Sequence, residues 1–186
     1  MPDTYNLQRF VDAQEPVFDT ALAELKQGRK RGHWIWFIFP QLKGLGHSAN
    51  SAFYGISGLP EATAFVKHPV LGPRLIECTV AVNSIEGQSA EDIFGEIDAM
   101  KFRSSMTLFA KAAPQNEIFA NALGKYFAGK PDALTTRHLQ ANEVSSACRR
   151  TLRDLSSAGD AHNFPHNRTL CSDGFFASST TVRPRD

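Results

Sequence analysis

The sequence predicts an all-α protein, with a single multi-helix globular domain followed by a poorly structured C-terminal tail. Apolar residues recur at helical spacing in several segments. No second convincing strand lies near the one run that could form a strand, and a lone strand would leave its backbone groups unpaired. From Ser156 onward, Ser, Thr, Asn and Asp are frequent and no period is visible. We therefore assign the helical domain to residues 1–140. Residues 141–186 are expected to form one more helix, at Glu143–Leu155, and a disordered tail.

Composition is consistent with one ordinary globular domain. The chain has 186 residues, of which 42% are hydrophobic and 21% charged. Its net charge of +1 offers no argument for a nucleic-acid or membrane partner. The cysteines Cys78, Cys148 and Cys171 lie far apart, and no cysteine–histidine cluster has metal-ligand spacing, so we expect reduced thiols, no metal and no cofactor. The N-terminus does not resemble a signal peptide, which favours a cytoplasmic location. The sequence does not indicate the oligomeric state.

The first helical pattern runs from Thr4 to Gly28. Asp3 or Thr4 is the expected N-cap, and Pro16 either kinks the helix or starts a second one. One apolar stripe contains Leu7, Phe10, Val17, Ala21 and Leu25.

The aromatic run Trp34–Phe39 favours a strand by propensity alone. Since no partner strand is visible, we interpret it as a short buried helix that ends near Pro40. The following segment, Lys43–Ser48, is a loop, and Ser48 is expected to cap a short helix that continues to Tyr54.

Capping residues and prolines delimit the remaining helices. The expected starts are Pro60 for a helix at 61–67, Ser89 for a capping-box helix, Asn116 for a helix to about Phe127, and Asp132 for a last core helix containing Leu134 and Leu139. Two longer helices are predicted at Val70–Ile85 and Asp98–Ala113.

Several motifs carry a family resemblance. They are Asn6–Phe10, His33–Gln41, Lys43–Gly46, His68–Leu75 and Asp98–Phe109. They resemble a bacterial family known only as a domain of unknown function, some members of which carry the label "calpastatin". The resemblance covers about residues 4–140 and implies an all-helical fold, cytoplasmic residence and no established activity. A narrower resemblance, at Asp98, Lys101 and Phe102, is to the all-helical NADAR family, which is linked to ADP-ribose and N-glycosidic chemistry.

Polar residues interrupt the apolar side of the helix that starts near Asp98. At helical spacing, Asp98, Lys101 and Ser105 share the side of Phe102 and Phe109. The opposite side, with Arg103, Thr107 and Lys111, is expected to face solvent. One interpretation is an internal Asp98–Lys101 ion pair with Ser105 bonded to a carbonyl. The other is the wall of a polar pocket, in which Lys101 binds an anion or acts as a base that Asp98 orients.

The loop Lys43–Ser48 is the best candidate for an anion site. Gly44 and Gly46 would let the backbone approach a ligand, and the helix after Ser48 would direct N–H groups toward it. The spacing is not that of a Walker A or dinucleotide-binding motif, so a simple capped turn is the competing interpretation.

Four further residues are candidates, each with a purely structural alternative. Asn6 flanks Phe10 on the first helix and could face a ligand or bond a loop. His33 could titrate during catalysis, and Trp34 could stack on a base or sugar, although both could belong to the core. Arg74 could contact a phosphate or pair with Glu77 at i,i+3.

Two hypotheses of function follow. In the first, the protein binds or processes a small phosphorylated or nucleotide-like ligand between the Lys43–Ser48 loop, His33 and Trp34, and the Asp98–Lys101–Ser105 side of its helix. In the second, the chain is a non-catalytic helical interaction or scaffold protein, whose inward polar residues are fully paired and which exposes an apolar patch.

Overall fold

The computed structural model describes residues 4–142, which form ten helices and no strand. These residues lie within one unit of the chain, Met1–Arg149. The all-α prediction is confirmed for this region. The expected helix at Glu143–Leu155 and the tail after it lie outside the described residues, as does Asp3.

The first helical pattern is divided at Pro16 into α1 (Gln8–Gln14) and α2 (Phe18–Lys26). Thr4 is not the N-cap, because the chain first passes through Asn6, whose φ of 51° is left-handed, and Leu7 occupies the cap position without a side-chain bond. The start of the helix is therefore set by the packing of buried Leu7 and Phe10, rather than by a polar cap.

The aromatic run forms the short buried helix α3 (Ile35–Ile38), as predicted. Ile35 and Ile38 face the core and are almost inaccessible. After α3 the chain forms one isolated parallel bridge between Leu42 and Ile56, which frames the loop that contains α4 (Ala49–Phe53).

Caps and prolines begin the middle helices where the sequence predicts them. Ser48 Oγ accepts the N–H of Ser51 at 3.1 Å before α4, and Ser89 forms a capping box with Asp92 before α7 (Ala90–Phe94). Pro60 lies in the first turn of α5 (Leu59–Lys67). Helix α6 (Leu71–Asn83) is shorter at both ends than predicted.

The longest helix, α8 (Glu96–Ala112), is central to the fold and contacts α3, α5, α7 and α9 (Ile118–Phe127). The final helix spans residues 133–142 in the described part, and Asp132 caps it through Oδ2, which accepts the Thr135 N–H at 2.7 Å. Asn116 lies just before α9 and its Oδ1 accepts the Ile118 N–H at 3.5 Å.

One side of α8 is buried where the sequence predicts exposure to solvent. Thr107 was expected to face solvent, but it is only 1% exposed. Its hydroxyl donates to Arg103 O at 2.8 Å and accepts the N–H of Asp132 at 2.8 Å, because the segment that follows α9 crosses this side of α8. Arg103 donates to the carbonyls of Lys130 and Pro131 and is part of the same contact.

Phenylalanine rings form much of the core. Edge-to-face and stacked contacts join Phe39, Phe94 and Phe102, and a second group joins Phe10, Phe65, Phe109 and Phe119. Such ring pairs contribute about 0.5–1.5 kcal/mol each beyond area burial. These ring contacts pack α8 against its neighbours and so determine where the polar residues at its surface lie.

Candidate functional site

Asp98 lies between two lysines at the first turns of α8. Lys101 Nζ donates to Asp98 Oδ1 at 2.6 Å, and Lys30 Nζ lies 2.7 Å from Asp98 Oδ2. The first contact is the i,i+3 ion pair predicted from the sequence, whereas the second joins α8 to the segment after α2. Burial, the largest single influence, raises the pKa of Asp98, but the hydrogen bonds and charges of Lys101 and Lys30 together hold it below its usual value. Asp98 is therefore ionised at neutral pH.

The ammonium group of Lys101 also lies over the ring of Trp36, with Nζ 4.6 Å from a ring centroid. This is a cation–π distance. Lys101 is 22% exposed and so retains access to solvent. The carboxylate on one side and the indole on the other place this ammonium group at one location on the surface.

A cleft of about 410 Å³ opens beside Lys101. One wall is a stripe of α8 at helical spacing, consisting of Ile97, Met100, Lys101 and Ser104. Trp36 and Gln41 line it from α3 and the segment that follows, and Asp132 and Leu134 line it from the start of the last helix.

The loop after α3 forms a further wall, with Leu45, Gly46, His47, Ser48 and Ser51. Ser48 Oγ caps α4, and Ser51 Oγ donates to Ser48 O at 2.7 Å, so both hydroxyls have local partners. A Cβ added at Gly46 would lie 2.7 Å from the Ser51 Cβ, so the backbone approaches that side chain closely. Gly46 is therefore required for loop packing as well as available to a ligand.

The structure brings some predicted site residues together at this cleft. Lys101, Gly46 and Ser48 line it, and Asp98 forms an ion pair with Lys101 without lining the cleft itself. Ser105 is adjacent in sequence to the cleft wall but is fully buried and does not line it. Its hydroxyl has no hydrogen-bond partner among the described residues, so the expected carbonyl bond is absent.

Other candidate residues lie outside the lining of the cleft. Trp34 is 2% exposed, and its Nε1 donates to Glu24 Oε2 at 2.8 Å. Its neighbour His33 is exposed. Lys43 and Gly44 are exposed on the same loop as Gly46 but do not line the cleft.

Asn6 and Arg74 have surroundings that the sequence did not predict. Asn6 precedes α1 and is exposed, instead of flanking Phe10 on a helix. Arg74 does not pair with Glu77; its Nη2 donates to Glu15 Oε2 at 2.9 Å and its guanidinium lies over the ring of Phe18. Glu15 is the C-cap of α1, directly before α2, and it lies near Arg74 because α6 packs against α2.

Several residues of the cleft wall were not predicted as site candidates from the sequence, among them Trp36, Met100 and Ser104. Met100 and Ser104 are four positions apart, next to Lys101, so helical spacing could have grouped them. Trp36 could not be separated from Trp34 by spacing, because only the packing of α3 determines which indole faces the cleft.

No helix in residues 4–142 is both long and apolar enough to cross a membrane.

Comparison with known proteins gives a family but no activity. Residues 4–139 match the family described as "Protein of unknown function (DUF1810)". Among solved structures, the chain is similar to the conserved hypothetical protein Rv1873 from Mycobacterium tuberculosis, with 52% sequence identity and a TM-score of 0.73. That similarity covers 74% of this chain and 99% of the mycobacterial one. No curated protein matches. These matches confirm the resemblance to an uncharacterised all-helical bacterial family.

Proposed function

We propose that this chain, which belongs to the DUF1810 family of proteins of unknown function, binds a small phosphorylated or nucleotide-like ligand in the cleft beside α8. The observation that carries the proposal is the position of Lys101. It is the only lysine or arginine among the described residues that line the cleft, and its ammonium group is held there by Asp98 and Trp36.

The ion pair favours an electrostatic role for Lys101 over proton abstraction. An ionised carboxylate 2.6 Å away stabilises the charged ammonium. Asp98 itself is shared by two lysines and is not available as a base. In the proposed function, Lys101 therefore binds the anion and Asp98 positions it.

We also propose a cytoplasmic location. Cys78, the cysteine that lies within the described residues, is a free buried thiol, which a reducing compartment preserves.

Binding can be followed at the two tryptophans by NMR of their indole N–H groups. Trp36 lines the cleft and its buried Nε1 has no partner among the described residues, whereas Trp34 does not line the cleft and its Nε1 donates to Glu24. Adenosine monophosphate and ribose 5-phosphate, added to the full chain, are expected to shift the Trp36 signal in a saturable way and to leave the Trp34 signal in place. The Trp36→Phe variant assigns the two signals.

Lys101→Met is expected to weaken this binding by about 1.5–3 kcal/mol, the range for a hydrogen bond to a charged group. Lys111→Met is the matched control, because Lys111 lies on the same helix, is exposed and does not line the cleft. The proposal is wrong if neither phosphate shifts the Trp36 signal, or if both variants bind like the wild type.

A partner protein is the second candidate. Ile97, Met100 and Leu134 line the cleft and are 67%, 62% and 53% exposed, which is unusual for neighbouring large apolar residues. If this surface joins copies of the chain, sedimentation should show concentration-dependent association that Met100→Glu abolishes. A wild-type monomer at high concentration would count against self-association.

A further inference from the structure

The charge of the cleft restricts which anions it can accept. Lys101 is its one lysine among the described residues, and Asp98 already neutralises much of that charge at 2.6 Å. A second carboxylate, Asp132, also lines the cleft. Sites for polyphosphates surround the ligand with several cations or with converging backbone N–H groups. Besides the one ammonium group of Lys101, the described lining contains the exposed imidazole of His47 and the acid Asp132, which suits a single acidic group.

Ser104 provides a second contact at the same place. It is 6% exposed and lines the cleft, one helical turn after Lys101. Its hydroxyl makes no hydrogen bond with the described residues, in contrast to Thr107 on the same helix, which donates to Arg103 O. Ser104 Oγ is not among the fully buried polar atoms without a partner, so it is accessible from the cleft. A ligand acid at Lys101 would accept a hydrogen bond from this hydroxyl.

The rest of the cleft wall is suited to a flat apolar group. Trp36, Met100 and Leu134 surround the space next to Lys101. The methionine thioether and the indole both make favourable contacts with aromatic rings. A volume of about 410 Å³ lies toward the small end of the range for ligand pockets.

We infer that the ligand is an aromatic body carrying one acidic group, a carboxylate or a phosphate monoester. The acid contacts Lys101 and Ser104, and the ring lies against Trp36 and Met100. Di- and triphosphates fit this site less well, because the described lining has no second lysine or arginine to meet their additional charges and includes the carboxylate of Asp132. This inference rests on the proposed function and specifies the ligand class of the same site.

The charge series of one nucleotide tests the inference. Adenosine, adenosine monophosphate and adenosine triphosphate are titrated into the full chain, and the Trp36 indole signal is followed by NMR. The monophosphate is expected to bind at least about tenfold more tightly than either of the others, since it gains the contact with Lys101 that adenosine lacks and avoids the repulsion of the additional charges of the triphosphate. Titration with the aromatic carboxylate 1-naphthoate, with its neutral amide as the control, then shows whether the site accepts a carboxylate as well as a phosphate monoester.

Two adjacent serines give a matched pair of variants. Ser104→Ala is expected to weaken the binding of the preferred acid by about tenfold, the loss of one hydrogen bond to a charged group. Ser105→Ala removes the neighbouring hydroxyl, which is fully buried without a partner among the described residues and does not line the cleft, so this variant should bind like the wild type. Thermal unfolding of both variants shows whether each is folded.

The outcomes separate this inference from the proposal on which it rests. Affinity that rises from monophosphate to triphosphate and still depends on Lys101 overturns the single-acid inference and keeps the anion site. Equal binding by both serine variants removes Ser104 from the ligand contact. If no compound of any charge shifts the Trp36 signal, the proposed function fails as well.

Discussion

Lys101 Nζ lies 4.6 Å from the ring centroid of Trp36, so a cation on α8 is packed against an indole on α3 at the edge of the cleft. A cation–π contact of this kind is worth about 0.5–1 kcal/mol at a partly exposed position. Together with the Asp98 ion pair, it keeps a long and flexible side chain in one place.

Asp98 should make stability depend on pH. Its pKa is lower in the folded protein than in the unfolded chain, so its ionised form stabilises the fold. That contribution is fully present above about pH 4, the unfolded pKa, and is lost as the pH falls through the folded pKa. Asp98→Asn should cost about 1–3 kcal/mol at pH 7 by urea unfolding.

The difference between Asp98→Asn and wild type should shrink below about pH 4 and stay constant above it. Asp19→Asn, at an exposed position in the first turn of α2, serves as the control and should change stability by less than about 0.5 kcal/mol. A difference that persists unchanged at low pH would contradict the assigned role of the Asp98 charge.

The buried pair of Arg9 and Glu61 should be much more important for stability than the exposed pair of Arg74 and Glu15. Glu61 is 4% exposed and accepts bonds from Arg9 and from Ser57, whereas Glu15 is 71% exposed. Glu61→Gln leaves a buried guanidinium without its charge partner and should cost about 3–5 kcal/mol. Glu15→Gln should cost at most about 1 kcal/mol. Similar unfolding midpoints for the two variants would disprove this ranking.

Two glycines should respond oppositely to alanine. A Cβ at Gly72 would lie 2.0 Å from the carbonyl oxygen of Val66, so α6 could not remain close to the end of α5. Gly124 lies exposed within α9, and a Cβ there meets nothing within 4 Å. Gly124→Ala should stabilise by about 0.5–1 kcal/mol, because alanine is the better helix former.

Gly72→Ala should destabilise by more than about 2 kcal/mol, since backbone must shift to accommodate the new methyl group. Thermal unfolding of the two variants side by side is the measurement. A Gly72→Ala protein as stable as wild type would show that α5 and α6 do not approach each other as described.

Cys78 should be unreactive while the protein is folded. The residue is fully buried, and burial raises the pKa of its thiol to about 12, so almost no thiolate is present at neutral pH. In a chain carrying Cys148→Ser and Cys171→Ser, a thiol reagent should label Cys78 only at the rate of unfolding. Rapid labelling under native conditions would mean that α6 opens locally.

Local structure was predictable because its causes are local. Ser48, Ser89 and Asp132 cap helices as predicted, since a capping side chain needs only N–H groups two or three residues ahead. The Asp98–Lys101 pair was predictable for the same reason, because residues at i,i+3 are neighbours on any helix.

The sequence by itself thus determined the all-α class, most helix starts and the polar character of one side of α8. Only the tertiary structure decided what each side of that helix meets. Helical spacing defines a residue's direction around the axis but not the element that lies there, which is why Thr107 is buried under the 130–132 segment. The packing of distant segments around α8 also decided two contacts that helical spacing could not predict. It made Lys30 the second partner of Asp98, and it placed the indole of Trp36 at the cleft.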